Sequence, residues 1–220
     1  MSNKVLVVLS GGQDSTTCLW WAMDKFGQEN VSALTFDYGQ RHRIELECAK
    51  QVAALAGVPQ AELPIDTFAA LGGNSLTDIS IDVEAGSAET LPNSFVPGRN
   101  LIFLTYAAAY AWPRGIGNIV TGVAQTDYSG YPDCRAETIA ALEKAIGLGM
   151  EYDFTIHTPL MNLSKKETVM LANSLGANDA MAYTHTCYAG QRPPCGTCPA
   201  CLLRAKGFAE AGIPDPLLPA

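Results

Sequence analysis

A short glycine loop near the start of the chain contains the residues that most directly suggest chemistry. It reads SGGQDS over residues 10–15 and directly follows the apolar run at residues 5–9. A loop between a strand and a helix presents backbone N–H groups and the positive end of the helix dipole, which together bind anions. The position of this loop therefore predicts a phosphate site.

The loop differs from the common Gly-x-x-x-x-Gly-Lys-Ser/Thr phosphate loop, because residues 5–24 contain no lysine. The loop itself therefore has no side chain that reaches a γ-phosphate as that lysine does. It offers two hydroxyl groups, two glycines that allow close backbone approach, and a carboxylate that can bind Mg²⁺ or fix the loop: Ser10, Ser15, Gly11, Gly12 and Asp14. A glycine turn without a ligand is the alternative, but the order of strand, loop and helix favours a nucleotide.

A lysine farther along the chain is a second candidate. The residues Ser164-Lys165-Lys166-Glu167 form a capping box that predicts a helix start, with Ser164 as the cap and Glu167 reaching back to it. Lys165 can supply a cation to the phosphates if the fold brings this helix to the loop. A solvated surface lysine is the alternative.

Four of the seven cysteines cluster near the end of the chain, and these are Cys187, Cys195, Cys198 and Cys201. Two residues separate each neighbouring pair of the last three, so their thiolates can converge on one ion, with Cys187 as the fourth ligand. A four-thiolate site has no open position and is structural, with zinc as the expected metal. An iron–sulfur cluster is the alternative, but ferredoxin runs continue with x-x-x-Cys-Pro, whereas residues 202–204 read Leu-Leu-Arg. His185 is expected to be a bystander.

The rest of the chain alternates short apolar runs with helical patterns. Strands are predicted at residues 5–9, 31–36, 61–65, 118–123 and 154–157, and helices at residues 14–26, 43–56, 101–112 and 136–146. Right-handed crossovers make successive strands parallel, so we expect an α/β fold with an open, mostly parallel sheet and helices on both faces. Ligands of such sheets bind beyond the carboxyl ends of the strands.

The length of 220 residues suits a single domain over residues 1–220. Residues 66–97 lack periodicity and are predicted to be a loop excursion of the kind that often forms a lid. Residues 185–220 are predicted to be a C-terminal segment stabilised by zinc.

Composition and charge limit the partners and the location. Lys and Arg number 14 against 22 Asp and Glu, a net charge of −8, and there is no basic patch, so nucleic-acid partners are disfavoured. The longest apolar stretch, residues 101–112, falls short of the ~20 residues that a membrane span needs. The run at residues 5–9 is too short for a signal-peptide core. We therefore expect a cytoplasmic protein without membrane contact, with reduced cysteines.

The loop at residues 10–15 resembles the SGGxDS pyrophosphate loop of the ATP pyrophosphatase, or PP-loop, superfamily. The resemblance implies an adenine nucleotide alpha-hydrolase-like fold and ATP with Mg²⁺ as co-substrate. It also implies that a substrate oxygen attacks the α-phosphorus while the loop holds the leaving pyrophosphate. Catalytic roles would belong to Ser10, Asp14, Ser15 and Lys165. Nucleotide binding would involve Leu9, Ser10, Gly11, Gly12, Gln13, Asp14, Ser15, Thr16, Thr17, Cys18 and Leu19.

Further segments, from residue 4 to about residue 207, resemble the 7-cyano-7-deazaguanine synthases, the nitrile-forming family of queuosine biosynthesis. They are SGGQDSTTC at 10–18, TFDYGQRH at 35–42, FVPGRN at 95–100, TDYSGYPDCR at 126–135, PLMNLSKKET at 159–168 and the four-cysteine run. The chain departs from the family at Ala124-Gln125, where Cys-Glu is expected. The resemblance implies that 7-carboxy-7-deazaguanine, ammonia and ATP react through an adenylated carboxylate and an adenylated amide, with one structural zinc per chain. A homodimer is the expected assembly.

Five residues near these segments are candidates for substrate binding: Arg99, Asp127, Tyr131, Asp133 and Arg135. Carboxylate acceptors and an aromatic ring suit a purine-like base, and an arginine suits its carboxylate. Each alone would more often be a turn or surface residue, but their clustering in two loops favours a site.

Two other functions remain as alternatives. A PP-loop tRNA sulfurtransferase shares the loop, but the net charge of −8 disfavours an RNA substrate. A zinc-dependent interaction module with a vestigial nucleotide fold would have no activity. Turnover of ATP with the deazapurine separates these hypotheses.

Overall fold

One parallel sheet of five strands forms the centre of the structure, a computed structural model that describes residues 3–40, 43–76, 81, 91, 93–125 and 131–218. The strands are Val5–Val8 (β1), Val31–Asp37 (β2), Gln60–Pro64 (β3), Asn118–Val120 (β4) and Thr155–His157 (β5). Their order is β3-β2-β1-β4-β5, and each neighbouring pair is parallel. The strand order reverses between β1 and β4, so a crevice is expected at the carboxyl ends of these two strands. The predicted parallel α/β sheet is confirmed.

Eight α-helices lie in the described part of the chain. They are Gln13–Phe26 (α1), Ile44–Ala56 (α2), Phe68–Leu71 (α3), Arg99–Ala111 (α4), Ala136–Met150 (α5), Lys165–Ser174 (α6), Asn178–Met181 (α7) and Pro199–Ala211 (α8). The four helices predicted from periodicity correspond to α1, α2, α4 and α5. The capping box at Ser164 is formed, and α6 begins directly after it. The single-domain prediction stays a prediction.

Helices cover both faces of the sheet because successive side chains of each strand point to opposite sides. Val5 and Val7 pack in a cluster with apolar residues of α1 and α2. Leu6 packs in a second cluster with apolar residues of α4 and α5. All three side chains are fully buried, which explains why β1 is a continuous apolar run rather than an alternating pattern.

The apolar face of α2 packs on the sheet and leaves one large apolar residue outside it. The buried residues of this helix are Leu46, Cys48, Ala49, Val52, Ala53 and Ala56. Leu55 lies at the edge of this face and is 50% exposed.

The end of the chain packs against the start of α6. A Cβ atom on Gly207 of α8 would lie only 3.0 Å from the Cβ of Lys165, so the two helices make backbone contact there. Arg204 forms a buried ion pair with Asp215 at 2.7 Å and donates a hydrogen bond to the hydroxyl of Thr184 at 2.7 Å. These contacts attach the C-terminal helix to the segment just before the cysteine cluster. Within the described residues, no helix is long and apolar enough to cross a membrane.

Candidate active site and metal centre

The glycine loop lies at the carboxyl end of β1, where the strand order reverses, and its last three residues, from Gln13, form the first turn of α1. The Oγ atoms of Ser10 and Ser15 are 3.0 Å apart. Ser15 Oγ accepts the Ser10 N–H at 3.2 Å and donates to the Gly12 carbonyl at 3.1 Å. The two serines therefore close the loop at the N-terminus of α1, the end of a helix that binds anions.

Gly11 brings the loop into contact with α2. Its φ is +83°, in the region that favours glycine. A Cβ atom there would lie 2.7 Å from the Ala49 nitrogen and closer still to the Glu45 carbonyl oxygen. No side chain fits between the loop and the first turns of α2.

Lys165 does reach the loop. Its Nζ donates to Asp14 Oδ2 at 2.6 Å, and the two side chains are 13% and 27% exposed, respectively. The backbone contact between Gly207 and Lys165 holds this lysine at the start of α6. The fold therefore brings the cation to the loop, which was the condition for its catalytic role.

Three buried polar atoms in the first turn of α1 have no hydrogen-bond partner in the described structure, and they are Gln13 Nε2, Asp14 Oδ1 and Thr16 Oγ1. Buried polar groups are nearly always paired, because leaving one unpaired costs about 1–3 kcal/mol. A ligand with phosphate oxygens and a bound Mg²⁺ would supply partners for these atoms. The residues present therefore fit a magnesium nucleotide.

The predicted nucleotide-binding range divides into two groups. Leu9, Cys18 and Leu19 have their side chains in the core between the sheet and α1. Thr17 is buried and donates its hydroxyl to the Gln13 carbonyl at 3.0 Å. The polar groups nearest the loop therefore belong to residues 10–16.

Ala124 and Gln125 are the two residues at which the chain departs from the family sequence, and Gln125 connects two elements near the site. Ala124 is buried. The Gln125 amide donates to Asn162 Oδ1 at 2.8 Å, and its carbonyl oxygen accepts the Ala136 N–H at 3.4 Å. Gln125 thus attaches the start of α5 to the loop before α6.

Three of the five predicted substrate residues lie near one another at the start of α4. Arg99 donates to the Tyr38 hydroxyl at 3.3 Å, and Asp133 Oδ2 accepts the Asn100 N–H at 3.0 Å. Arg99 also lies close enough to Tyr131 and Asp133 for electrostatic interaction with both side chains. Asp133 thus caps α4 as well as lying near the arginine.

The other two predicted substrate residues stand apart from this group. Arg135 is exposed and directly precedes α5. Asp127 lies outside the described residues. Their assignment stays a prediction.

Sequence reasoning missed two residues in this cluster. Burial raises the pKa of the Tyr188 hydroxyl, and the adjacent Tyr131 raises it further. Burial raises the pKa of the Glu45 carboxyl to about 7, against the opposing effect of the Arg99 charge. In the sequence, Tyr188 is one of the residues between the metal-ligand candidates Cys187 and Cys195, so it did not stand out. Glu45 lies in the first turn of α2, where acidic residues are common.

Glu45 is expected to make the stability of the fold depend on pH. Its pKa is raised from 4.5 to about 7, so between these values the folded chain holds a proton that the unfolded chain has lost. The free energy of unfolding should therefore fall as the pH rises through this window, by about 1–3 kcal/mol. Urea denaturation at pH 5 and pH 8 should show this fall in wild type and a smaller fall in Glu45→Gln. Glu47→Gln, at the exposed neighbour paired with Lys50, should behave as wild type. An equal fall in Glu45→Gln and wild type would contradict the assignment.

The four cysteines of the C-terminal run form one compact cluster. Their Sγ atoms all lie within 4.8 Å of one another, and those of Cys195 and Cys201 are 3.9 Å apart. Four sulfurs at ~2.3 Å from a tetrahedral zinc would lie about 3.8 Å apart. The geometry therefore fits a metal ion.

Backbone donors favour the thiolate form of Cys195, whereas burial raises the pKa of the Cys201 thiol. The Cys195 N–H points to Cys187 Sγ at 3.4 Å, and the Cys198 N–H points to Cys195 Sγ at 3.3 Å. The N–H groups of Thr197 and Cys198 lower the pKa of the Cys195 thiol to about 6. Deprotonated thiols are the form that binds metal ions.

His185 links the metal cluster to the glycine loop, so the bystander interpretation was incomplete. Its imidazole is outside the ligand cluster, as expected. Its backbone N–H donates to the Gly11 carbonyl at 2.9 Å, and its Nε2 hydrogen-bonds to the Cys187 carbonyl at 2.8 Å. The side chain is buried between the two sites.

Comparison with known proteins agrees with these features. A family model described as "Queuosine biosynthesis protein QueC" matches residues 4–212. A protein named 7-cyano-7-deazaguanine synthase from Chromobacterium violaceum is 66% identical over 98% of this chain and 93% of its own length. A protein of the same name from Laribacter hongkongensis is 68% identical over 97% of this chain and 93% of its own length.

A solved structure shares the fold at much lower identity. It is described as a predicted subunit of tRNA methyltransferase from Methanocaldococcus jannaschii, with a TM-score of 0.51 and 19% identity, covering 77% of this chain and 74% of that chain. At 19% identity, this similarity shows only that the two proteins share a fold. The family match and the near full-length relatives show that this chain belongs to the QueC family of queuosine biosynthesis proteins.

Proposed function

We propose that the chain is an ATP-dependent enzyme that converts 7-carboxy-7-deazaguanine and ammonia to 7-cyano-7-deazaguanine. The names of relatives at 66% and 68% identity support the reaction. The observation that carries the mechanism is the contact of Lys165 with Asp14, at a loop that has no lysine of its own. The family assignment leaves the sulfurtransferase alternative without support.

The loop residues would act on the triphosphate of ATP. The backbone N–H groups of the first turn of α1, with the hydroxyls of Ser10 and Ser15, would hold the β- and γ-phosphates as leaving pyrophosphate. Lys165 would neutralise the charge that develops as the α–β bond breaks. Asp14 would orient Lys165 and hold Mg²⁺, whose chemical contribution is further charge neutralisation.

Two activations account for the conversion of an acid to a nitrile. A carboxylate oxygen attacks the α-phosphorus of ATP, which releases pyrophosphate, and ammonia then displaces AMP to give the amide and a proton. The amide oxygen attacks a second ATP, and loss of AMP with the remaining N–H protons gives the nitrile. Arg99 suits the carboxylate and Tyr131 suits the flat base, because a guanidinium pairs with carboxylates and an aromatic ring stacks on heterocycles.

The amide tests this order of events. With the amide as starting material, the enzyme and ATP should form the nitrile without ammonia, because the second activation needs only the amide oxygen. Without ammonia, the acid should give no nitrile. Mass spectrometry of the base measures both outcomes. A requirement for ammonia with the amide would contradict the proposed sequence of steps.

The proposed metal is one structural zinc per chain at the four cysteines. Cys198→Ser should lose this zinc and lower the melting temperature rather than slow the chemistry selectively, since three thiolates bind zinc more weakly than four. Elemental analysis measures the metal, and Cys134→Ser, outside the cluster, should keep it. Stoichiometric iron with absorption near ~400 nm in anaerobically purified protein would instead indicate an iron–sulfur cluster.

The proposal also covers assembly and location. We infer a cytoplasmic homodimer that acts on small molecules and has no nucleic-acid partner. The net charge of −8 supports the last point.

A further inference from the structure

We propose that His185 is a positioning residue that couples the four-cysteine cluster to the glycine loop, so that metal binding and nucleotide binding strengthen each other. The inference rests on the nucleotide-binding part of the proposed function and does not depend on the identity of the base. It gives the structural metal cluster an additional effect on the nucleotide site.

The first step concerns the peptide unit between Gly11 and Gly12. In a planar trans peptide the C=O of one residue and the N–H of the next point in opposite directions. The Gly11 carbonyl accepts the His185 N–H at 2.9 Å, and on the opposite side the Gly12 N–H points to Ser10 Oγ at 3.3 Å. The His185 N–H therefore fixes the direction in which the Gly12 N–H is presented to a phosphate.

This constraint is needed because glycine peptides rotate readily. Gly11 has a φ of +83°, and it has no side chain that would resist rotation. Without the His185 hydrogen bond, the Gly11–Gly12 peptide can turn and remove one anion donor from the loop. An anion at the loop favours the same orientation, so the two interactions support each other.

The second step connects His185 to the metal ligands. Its Nε2 lies 2.8 Å from the Cys187 carbonyl oxygen. A carbonyl only accepts, so Nε2 carries the proton and donates. This bond fixes His185 relative to Cys187, whose Sγ belongs to the four-sulfur cluster.

The third step concerns how the segment is held on its two sides. Before His185, the Thr184 hydroxyl accepts a hydrogen bond from Arg204 at 2.7 Å, and Arg204 is itself paired with Asp215. After His185, Arg204 also donates to the Thr186 hydroxyl at 3.2 Å, and a metal at the four cysteines would add an attachment at Cys187. The metal would thus strengthen the hold on the segment that places the His185 N–H against Gly11.

Coupling of this kind is reciprocal. If the metal improves nucleotide affinity by a given factor, the nucleotide improves metal affinity by the same factor. A nucleotide bound at the loop should therefore raise the metal affinity of the cysteines, although it touches none of them. Differences in affinity appear mainly as differences in the dissociation rate, so release of the metal should be slower. Removing the imidazole should abolish this effect.

Zinc release tests the inference on the full-length, zinc-loaded protein. The rate of zinc transfer to a chromogenic chelator is measured with and without saturating Mg²⁺ and an ATP analogue with a methylene bridge between the α- and β-phosphorus atoms. In wild type the analogue should slow zinc release ~10-fold. His185→Leu should reduce this factor to about one, and His185→Gln, whose amide N–H can replace Nε2–H, should largely restore it.

A matched control separates coupling from a general loosening of the metal site. The Thr197 hydroxyl donates to Cys195 Sγ at 3.6 Å and lies outside the path from His185 to Gly11. Thr197→Val should therefore speed zinc release both with and without the analogue. The factor by which the analogue slows release should stay as in wild type. The inference would be overturned if the analogue did not slow zinc release in wild type, or if it slowed release as much in His185→Leu as in wild type. Failure of the analogue to bind, measured by calorimetry, would instead overturn the proposed function.

Discussion

Gly11→Ala is expected to disrupt both the stability of the chain and its activity. The new methyl group would overlap the backbone of α2, 2.7 Å from the Ala49 nitrogen and closer to the Glu45 carbonyl, and backbone atoms cannot move aside as a flexible side chain can. The φ of +83° adds strain for any residue with a Cβ. Together these effects should lower the free energy of unfolding by about 3 kcal/mol or more and reduce ATP turnover at least ~10²-fold.

The adjacent glycine provides the control for this prediction. Gly12 has an ordinary extended backbone, and a Cβ there would lie 3.4 Å from Ser10 Oγ and 3.5 Å from the His185 carbonyl. Gly12→Ala should therefore melt within a few degrees of wild type, whereas Gly11→Ala should melt far lower. Similar melting curves for the two variants would show that α2 does not constrain the loop as described.

Asp14→Ala is expected to leave the chain folded and reduce nitrile formation by ~10²-fold or more. The substitution removes no apolar core volume, but it takes away the carboxylate that orients Lys165 and the proposed Mg²⁺ contact. Loss of a group that stabilises the charge of a transition state typically costs this much. Steady-state kinetics and circular dichroism measure the two parts of the prediction. Ser10→Ala should likewise stay folded and become nearly inactive.

Two further variants define what Asp14 does. Asp24→Ala removes an exposed carboxylate from the same helix and should keep wild-type activity. In a double-mutant cycle, Lys165→Ala should add little to the loss in Asp14→Ala, because residues that act as a unit are not additive. Wild-type rates in Asp14→Ala and Ser10→Ala would contradict the assignment of the loop, and full additivity with Lys165→Ala would contradict the joint role.

The main elements of the fold were predictable because their signals are local. The strand β1 is buried on both faces and reads as an apolar run, and the capping box at Ser164 marks the start of α6 through its own side chains. The helices α3 and α7 have four residues each, which is too short for periodicity to reveal them.

The parts of the site that sequence could not reveal depend on contacts between distant segments. Lys165 and Asp14 are 151 residues apart. The sequence could therefore predict a role for Lys165 only if the fold brought α6 to the loop. Glu45 and Tyr188 gain their perturbed pKa values from burial, which their neighbours in sequence do not indicate. The role of His185 depends on its backbone N–H, which every residue except proline has.

The most direct test of the central claim is phosphorus NMR of the nucleotide products during conversion of 7-carboxy-7-deazaguanine. The loop lacks a lysine of its own, and the proposed mechanism breaks the α–β bond. AMP and pyrophosphate should therefore accumulate as mass spectrometry shows the acid passing through the amide to the nitrile. ADP and orthophosphate as the primary products would contradict the adenylation mechanism, and no reaction of the acid or the amide would contradict the proposed function itself.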